Sequence, residues 1–256
     1  MIQNKKVLVT GGGRGIGRAI ALSFAKEGFD VALVARTKSE IDSVAEEING
    51  MGVNAIAEVC DVTSSKKVEK IFSEIENKMG SIDIFVANAG MLLKNKLIDT
   101  DDHLWEKIID INLNSVFYTT RSVIKGMIER KSGRVIVISS VSGKLGGANR
   151  SAYHAAKHGA IGFVRSIALE VAEDNITVNA ICPGFVETKL MNDNQELFKN
   201  TASDSIDIEE YLKEGIPMKR FLDPIEIASM SVYLASDSAS GITGQAYTIS
   251  CGAVQI

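Results

Sequence analysis

Proline is scarce in this chain, with 3 in 256 residues, whereas glycine is not, at 22. Glycine without proline and without a collagen-like period points to tight turns between regular elements. Cysteine is equally sparse. Cys60, Cys182 and Cys251 are widely spaced, form no CxxC pair and join no His/Cys cluster. That excludes a disulfide framework and a zinc site and leaves reduced, mostly buried thiols as the expectation. Basic charge is not in surplus: 28 Lys+Arg against 32 Asp+Glu give a net charge of −4. This is the wrong balance for a surface held mainly on nucleic-acid phosphates. No apolar run reaches the roughly 18 residues that a membrane span needs. The segment Met1–Lys6 is polar, without the apolar stretch of a signal peptide. A cytoplasmic protein with no membrane or nucleic-acid partner is therefore expected, its sequons at Asn149 and Asn175 unglycosylated. A 45% hydrophobic share excludes disorder and fills a sizeable core.

What is present is alternation. Val7–Thr10, Val31–Ala35, Ala55–Val59, Ile82–Ala87, Val135–Ser139, Thr177–Cys182 and Ala246–Ile249 are nearly continuous apolar runs, as buried parallel strands are. Between them, helical patterns cover Ile16–Glu27, Lys38–Met51, Ser64–Met79, Asp102–Lys131, Ala152–Glu173 and Pro224–Ala235. Ser64 suits a helix N-cap, Pro224 a first turn, and Gly28, Gly52 and Gly80 helix stops. Repeated strand–helix units predict an α/β fold, a three-layer, doubly wound, Rossmann-like arrangement around a seven-stranded parallel sheet. No linker or repeat divides it, so one domain over 1–256 is expected. The polar stretch within 188–217 suits a substrate lid.

The first strand runs into the first helix through Thr10-Gly11-Gly12-Gly13-Arg14-Gly15-Ile16-Gly17. The spacing is TGxxxGxG rather than GxGxxG, but the physics is shared. Glycines let a pyrophosphate approach the backbone, and the helix N-terminus offers free N–H groups and positive dipole. An acidic residue after the second strand would favour NAD; here Ala35 stands in that place and Arg36 follows, with Arg14 in the glycine turn. Two guanidinium groups and no carboxylate suit a 2′-phosphate, so NADP(H) is expected in preference to NAD(H).

Tyr153 and Lys157 are four apart on one helix face, and Ser140 ends the fifth strand, at the carboxyl edge where ligands bind in open α/β sheets. A free tyrosine, with a pKa of about 10, is a poor acid or base at neutral pH. A neighbouring ammonium would lower that value. Ser140 would hold a carbonyl while Tyr153 passes the proton and a nicotinamide moves the hydride. His103, His154 and His158 lack metal-ligand spacing and read as surface or packing residues. Lys144, in the loop between Ser140 and Tyr153, is a candidate for holding an anionic substrate group.

These motifs, with Ala87-Asn88-Ala89-Gly90 and Pro183-Gly184, come in the order and spacing of the short-chain dehydrogenase/reductase family, which the chain resembles from about residue 5 to 252. The resemblance implies a catalytic set of Asn112, Ser140, Tyr153 and Lys157, with Asn112 ordering a water in a proton relay. It implies cofactor contacts at Gly11, Gly13, Arg14, Gly15, Ile16, Gly17 and Arg36 on the adenosine and pyrophosphate side, and at Asp61 and Val62 beside the adenine. Asn88, Ala89, Gly90, Tyr153, Lys157, Pro183, Gly184, Val186 and Thr188 complete the set toward the nicotinamide. The usual NNAG has Ala87 in its first place, and the usual VDGG reads Ile249-Ser250-Cys251-Gly252.

Within the family the chain is most similar to 3-oxoacyl reductases, implying reversible NADP(H)-dependent reduction of a 3-oxoacyl thioester or related ketone. Such enzymes present basic residues to an acidic carrier protein, whereas Glu170-Val171-Ala172-Glu173-Asp174 is acidic; Lys131 and Arg134 supply a second basic patch. A small 3-hydroxy acid, polyol or other secondary alcohol is the alternative substrate. A non-catalytic NADP(H) sensor is the alternative class, since fold does not fix function. The helix over Ala152–Glu173 is apolar on most of its surface, and the family commonly assembles through it, implying a homotetramer or homodimer.

Overall fold

Seven apolar runs become seven strands: β1 (Lys6–Thr10), β2 (Asp30–Ala35), β3 (Ala55–Val59), β4 (Ile84–Ala87), β5 (Gly133–Ile138), β6 (Ile176–Pro183) and β7 (Ala246–Ile249). The structure is a computed structural model and describes residues 4–189, 191 and 208–256. The strands form one sheet in the order β3-β2-β1-β4-β5-β6-β7. Every neighbouring pair is parallel. The helices are α1 (Gly15–Lys26), α2 (Lys38–Asn49), α3 (Ser65–Met79), α4 (Asp102–Ile109), α5 (Ser115–Arg130), α6 (Ser151–Glu170), α7 (Ile208–Glu214) and α8 (Pro224–Ala235).

Alternate strand residues feed two cores. Val7, Val9, Val31 and Leu33 face α1, α2 and α8 through Phe24, Ile41 and Ile227. Leu8, Ala32, Val34 and Phe85 face α3, α5 and α6 through Phe72, Val123 and Val164. The fold is therefore the expected three-layer Rossmann-like α/β arrangement. Each fully buried Phe or Ile contributes about 1.5–3 kcal/mol against leaving it exposed. Phe72 and Phe85 also meet edge to face at 6.0 Å. The strand order reverses on either side of β1, so the carboxyl ends of β1 and β4 open a crevice.

One local expectation is corrected and the helix ends are sharpened. The helix expected over Asp102–Lys131 is two helices joined by a wide π turn, Asp110–Asn114, in which the Ser115 amide bonds the Asp110 carbonyl. Ser64 occupies an N-cap position but makes no capping bond. Asp223, not singled out from the sequence, caps α8 reciprocally with Glu226, with Pro224 in the first turn as expected. Gly28, Gly52 and Gly80 do take positive φ where helices stop. The three cysteines are free and buried. Of the lid expected over 188–217, residues 190 and 192–207 lie outside the described residues. Among the described residues no helix is long and apolar enough to cross a membrane.

Candidate active site

The glycine turn is clamped to the end of β4. Thr10 Oγ1 accepts the amides of Asn88 (3.0 Å) and Ala89 (3.1 Å). Asn88 Nδ2 donates to the carbonyls of Thr10 (3.0 Å) and Gly11 (3.2 Å). Asn88 thus ties the two strands although Ala87 stands where the family usually has a second asparagine. A Cβ on Gly17 would run into the Gly11 carbonyl and stand 2.5 Å from Asn88 Nδ2. The N-terminus of α1 has no side-chain cap and no acidic residue in its first turn. Its amides and dipole are left for an anion, which fits a pyrophosphate.

All the residues singled out for the site except Asp61 and Lys144 line one cavity of about 330 Å³, running from Arg36 past the glycine turn to Tyr153. Cys60 and Val62 line it. The Asp61 carboxylate instead accepts the amide (3.1 Å) and hydroxyl (2.8 Å) of Thr63. Burial alone would raise its pKa, but those bonds and the charges of Arg36 and Lys67 outweigh this and hold it below the usual carboxylate range. Asp61 thus braces the wall between Cys60 and Val62 through one of its two carboxylate oxygens. Glu40 was missed: the carboxylate at the start of α2 lines the cavity, 4.0 Å from Arg14 Nη1. The adenosine end accordingly carries two guanidinium groups and one carboxylate, not two unopposed cations.

At the other end, Ser140 follows β5 and begins the short turn Val141–Gly143, where its hydroxyl accepts the Ser142 amide at 3.1 Å. That turn is pressed onto α6. A Cβ on Gly143 would lie 2.7 Å from the Lys157 carbonyl and 2.9 Å from Ser139 Oγ. The contact sets Ser140 against the first turns of α6, where its hydroxyl acts on the Tyr153 phenol. Lys157, buried, donates from Nζ to the Ile138 carbonyl (3.1 Å), and Nζ lies 5.8 Å from the Tyr153 ring centroid. Burial pushes Lys157 down to about 8. Burial pushes Tyr153 up; Ser140 and Arg150 pull it partly back. The expected lowering of Tyr153 by Lys157 is therefore not the balance struck here, because the ammonium is directed to a backbone carbonyl.

Asn112, fully buried, sits in the π turn. Its Nδ2 donates to the carbonyls of Met91 and Ile108 (3.0 Å each), and Oδ1 accepts the Met91 amide (3.2 Å). Both side-chain hydrogens are spent on protein, so Asn112 fastens the segment after β4 beside Lys157. A Cβ on Gly90 would lie 2.9 Å from Asn112 Oδ1 and 3.6 Å from Lys157 Nζ. On the opposite wall Thr188 reaches the glycine turn, 3.3 Å from where a Gly15 Cβ would sit.

Lys144 does not face the cavity. Its three donors go to the Ala246 carbonyl (2.6 Å), Thr248 Oγ1 (2.8 Å) and the Ile256 oxygen (2.7 Å). The expected anion contact is thus overturned. Arg150, six residues on, does line the cavity, as do Met91 and Leu92. His154 and His158 pack as expected, His154 Nδ1 on the Leu145 carbonyl and His158 Nδ1 on the His154 carbonyl.

Comparison with known proteins adds to this geometry. The sequence profile of a family described as short chain dehydrogenase matches residues 5–197. The 3-oxoacyl-[acyl-carrier-protein] reductase of Staphylococcus epidermidis is 38% identical over 250 residues, 97% of this chain and 98% of that one. The enzyme of the same description from Staphylococcus aureus is 37% identical over 253 residues, 98% and 99% of the two chains. Among solved structures, a single-residue variant of the actinorhodin polyketide ketoreductase, with NADPH, superposes with a TM-score of 0.94 at 34% identity, covering 98% of this chain and 97% of that one.

Proposed function

The chain belongs to the short-chain dehydrogenase/reductase family, an oxidoreductase acting on carbonyl and CH–OH groups, and from that premise we propose that it reversibly reduces a ketone of the 3-oxoacyl type with NADP(H). The observation that carries the reading is the convergence of Ser140, Tyr153 and Lys157 on one end of a cavity whose other end is the glycine turn. NADP(H) would supply the hydride to the carbonyl carbon; Gly11, Gly15, Gly17 and the α1 amides would hold its pyrophosphate. Ser140 orients the substrate's carbonyl oxygen, and Tyr153 gives that oxygen a proton as its π bond breaks. A Tyr153 raised by burial is protonated at neutral pH, the form reduction needs. Lys157 supplies positive charge beside the phenol as it becomes phenolate, and Asn112 positions the wall behind both. Arg36, exposed at the adenosine end, supports NADP(H) over NAD(H); Arg14 adds less, being offset by Glu40.

One observation favours a free small substrate over a carrier-bound one. Arg134 is buried, its Nη1 spent on the carbonyls of Gly133 (2.9 Å) and Asn175 (3.1 Å), so it forms no docking patch. Glu170 and Glu173 are exposed nearby, which repels an acidic carrier. The reading includes a single catalytic domain and assembly as a homodimer or homotetramer. Phe117 on α5 is 40% exposed, meets Phe163 of α6 at 6.3 Å, and Leu169 is 81% exposed, leaving apolar surface on those helices for a second copy.

NADPH oxidation against ketone, aldehyde and 3-oxoacyl thioester panels tests the reading. Tyr153→Phe should lower turnover on the active substrate by about 10²–10⁴-fold, with NADPH binding intact by fluorescence titration. Tight NADPH binding without turnover of any carbonyl would instead make the protein a sensor.

A further inference from the structure

Arg150 lines the cavity as the residue just before α6, three before Tyr153, and its charge acts on the Tyr153 phenol. Its Nε is buried and has no hydrogen-bond partner. Among the described residues no carboxylate pairs with its guanidinium. A half-buried guanidinium that lines the cavity with no carboxylate partner and one buried, unbonded donor is suited to an anion, because buried donors left unmade are costly and carboxylates match the guanidinium fork.

The surroundings fix its place. Asn149 adopts a left-handed backbone, φ 61°, and its carbonyl accepts the Asn95 amide at 2.7 Å, so the loop after β4 latches the residue before Arg150. On the other side the guanidinium lies across a glycine. A Cβ on Gly147 would stand 2.8 Å from Arg150 Nη2 and 2.7 Å from His154 Nε2. The Leu145 carbonyl accepts from His154 Nδ1, which leaves Nε2 as a lone pair on the side of Arg150. Burial, and the charge of Arg150, hold the His154 imidazole below its usual range, hence neutral rather than a competing cation at neutral pH.

We propose that Arg150 binds a carboxylate carried by the substrate, so that the preferred ketone is a free 3-oxo acid rather than its neutral ester or a thioester. The inference rests on the carbonyl-reduction reading above and narrows it. In a 3-oxo acid the carboxylate lies two bonds from the reacting carbonyl. With the carbonyl oxygen at Ser140 and Tyr153, the acid end is offered to Arg150, which lines the same cavity beside the phenol. The anion-binding role expected of Lys144 thus passes to the other cation of the same loop.

The test measures NADPH oxidation with 3-oxobutanoate, its methyl ester and its N-acetylcysteamine thioester, for the wild type, Arg150→Gln and Arg150→Lys. NADPH titration of each variant reports folding. The wild type should favour the acid over the ester at least tenfold in kcat/KM. Arg150→Gln should shrink that ratio at least tenfold, chiefly through KM for the acid, and Arg150→Lys should restore part of it. A wild-type preference for ester or thioester overturns the proposal while leaving carbonyl reduction standing. An equal loss on acid and ester in Arg150→Gln overturns it too, assigning Arg150 to Tyr153 or to the fold. If the wild type turns over none of the three, the reduction reading fails for this class. Calorimetric titration of 3-hydroxybutanoate with NADPH present then decides: binding at least tenfold tighter to wild type than to Arg150→Gln supports the site, and equal binding refutes it.

Discussion

Replacing Lys157 by methionine isolates the cost of holding an ammonium in the cavity wall. Burial lowers Lys157 to about 8 against 10.5 for an ordinary lysine. Below pH 8 the group is charged in both folded and unfolded chains, and the folded state bears the whole penalty. Between pH 8 and 10.5 the unfolded chain still binds the proton while the folded chain has lost it, so stability rises with pH across that window. At 1.36 kcal/mol per unit, the relief between pH 7 and pH 10 is about 2–3 kcal/mol. Lys157→Met has nothing to relieve. It also loses the bond to the Ile138 carbonyl, but that loss is independent of pH and cancels when the same variant is compared at two pH values. Lysines and tyrosines away from Lys157 titrate alike in both proteins and cancel. Urea unfolding followed by circular dichroism at pH 7 and 10 reads the double difference. The wild type should gain about 1 M in midpoint relative to Lys157→Met, for an m-value of about 2–3 kcal/mol/M. Parallel curves, or a wild type that loses ground as pH rises, would refute the reasoning and show that the ammonium is compensated within the fold.

Three further outcomes follow from the geometry. Arg36→Ala should lower kcat/KM for NADPH by about 10–100-fold through loss of a charge-assisted grip, with NADH changed far less; equal losses on both cofactors would remove Arg36 from the 2′-phosphate. Gly17→Ala forces a methyl into the Gly11 carbonyl and Asn88, and should cost about 3 kcal/mol or lower Tm by about 6–12 °C, with NADPH binding weakened; an unshifted Tm would mean the turn has slack the structure does not show. Light scattering should give two or four times 27.5 kDa; a single-chain mass would leave the apolar surface of α5 and α6 to another explanation.

The strands were legible because parallel strands buried on both faces read as unbroken apolar runs, and all seven lie within a residue or two of their expected places. The glycine turn, Ser140, Tyr153 and Lys157 were legible as motifs whose spacing survives folding. What was hidden depends on contacts between distant segments. The break at Asp110–Asn114 follows an amphipathic pattern with no proline or glycine to mark it; Asn112 is drawn to Met91, twenty-one residues earlier. The choice between Lys144 and Arg150 turns on the left-handed Asn149 and on carbonyls near residue 250 that no local pattern announces. Asp61 did carry a signal: Asp followed two residues later by Thr is an Asx-turn pattern, and one carboxylate oxygen makes that turn. Glu40 belongs to the first helical turn after β2, one turn beyond where an acidic residue was sought.

The wide turn between α4 and α5 bears on how this chain tolerates insertion and deletion. A π turn accommodates about one residue more than a regular helix over the same rise. Removing one residue from 110–114 would let α4 and α5 close into a single regular helix, a locally easier structure. It would also rotate one flank by about 100° relative to the other. Asn112 would then leave Met91, or the buried face of α5 with Val116, Val123 and Met127 would leave the sheet. Length variation that a surface loop absorbs is thus barred here, and the segment keeps a less regular helix because the regular one would place its asparagine elsewhere.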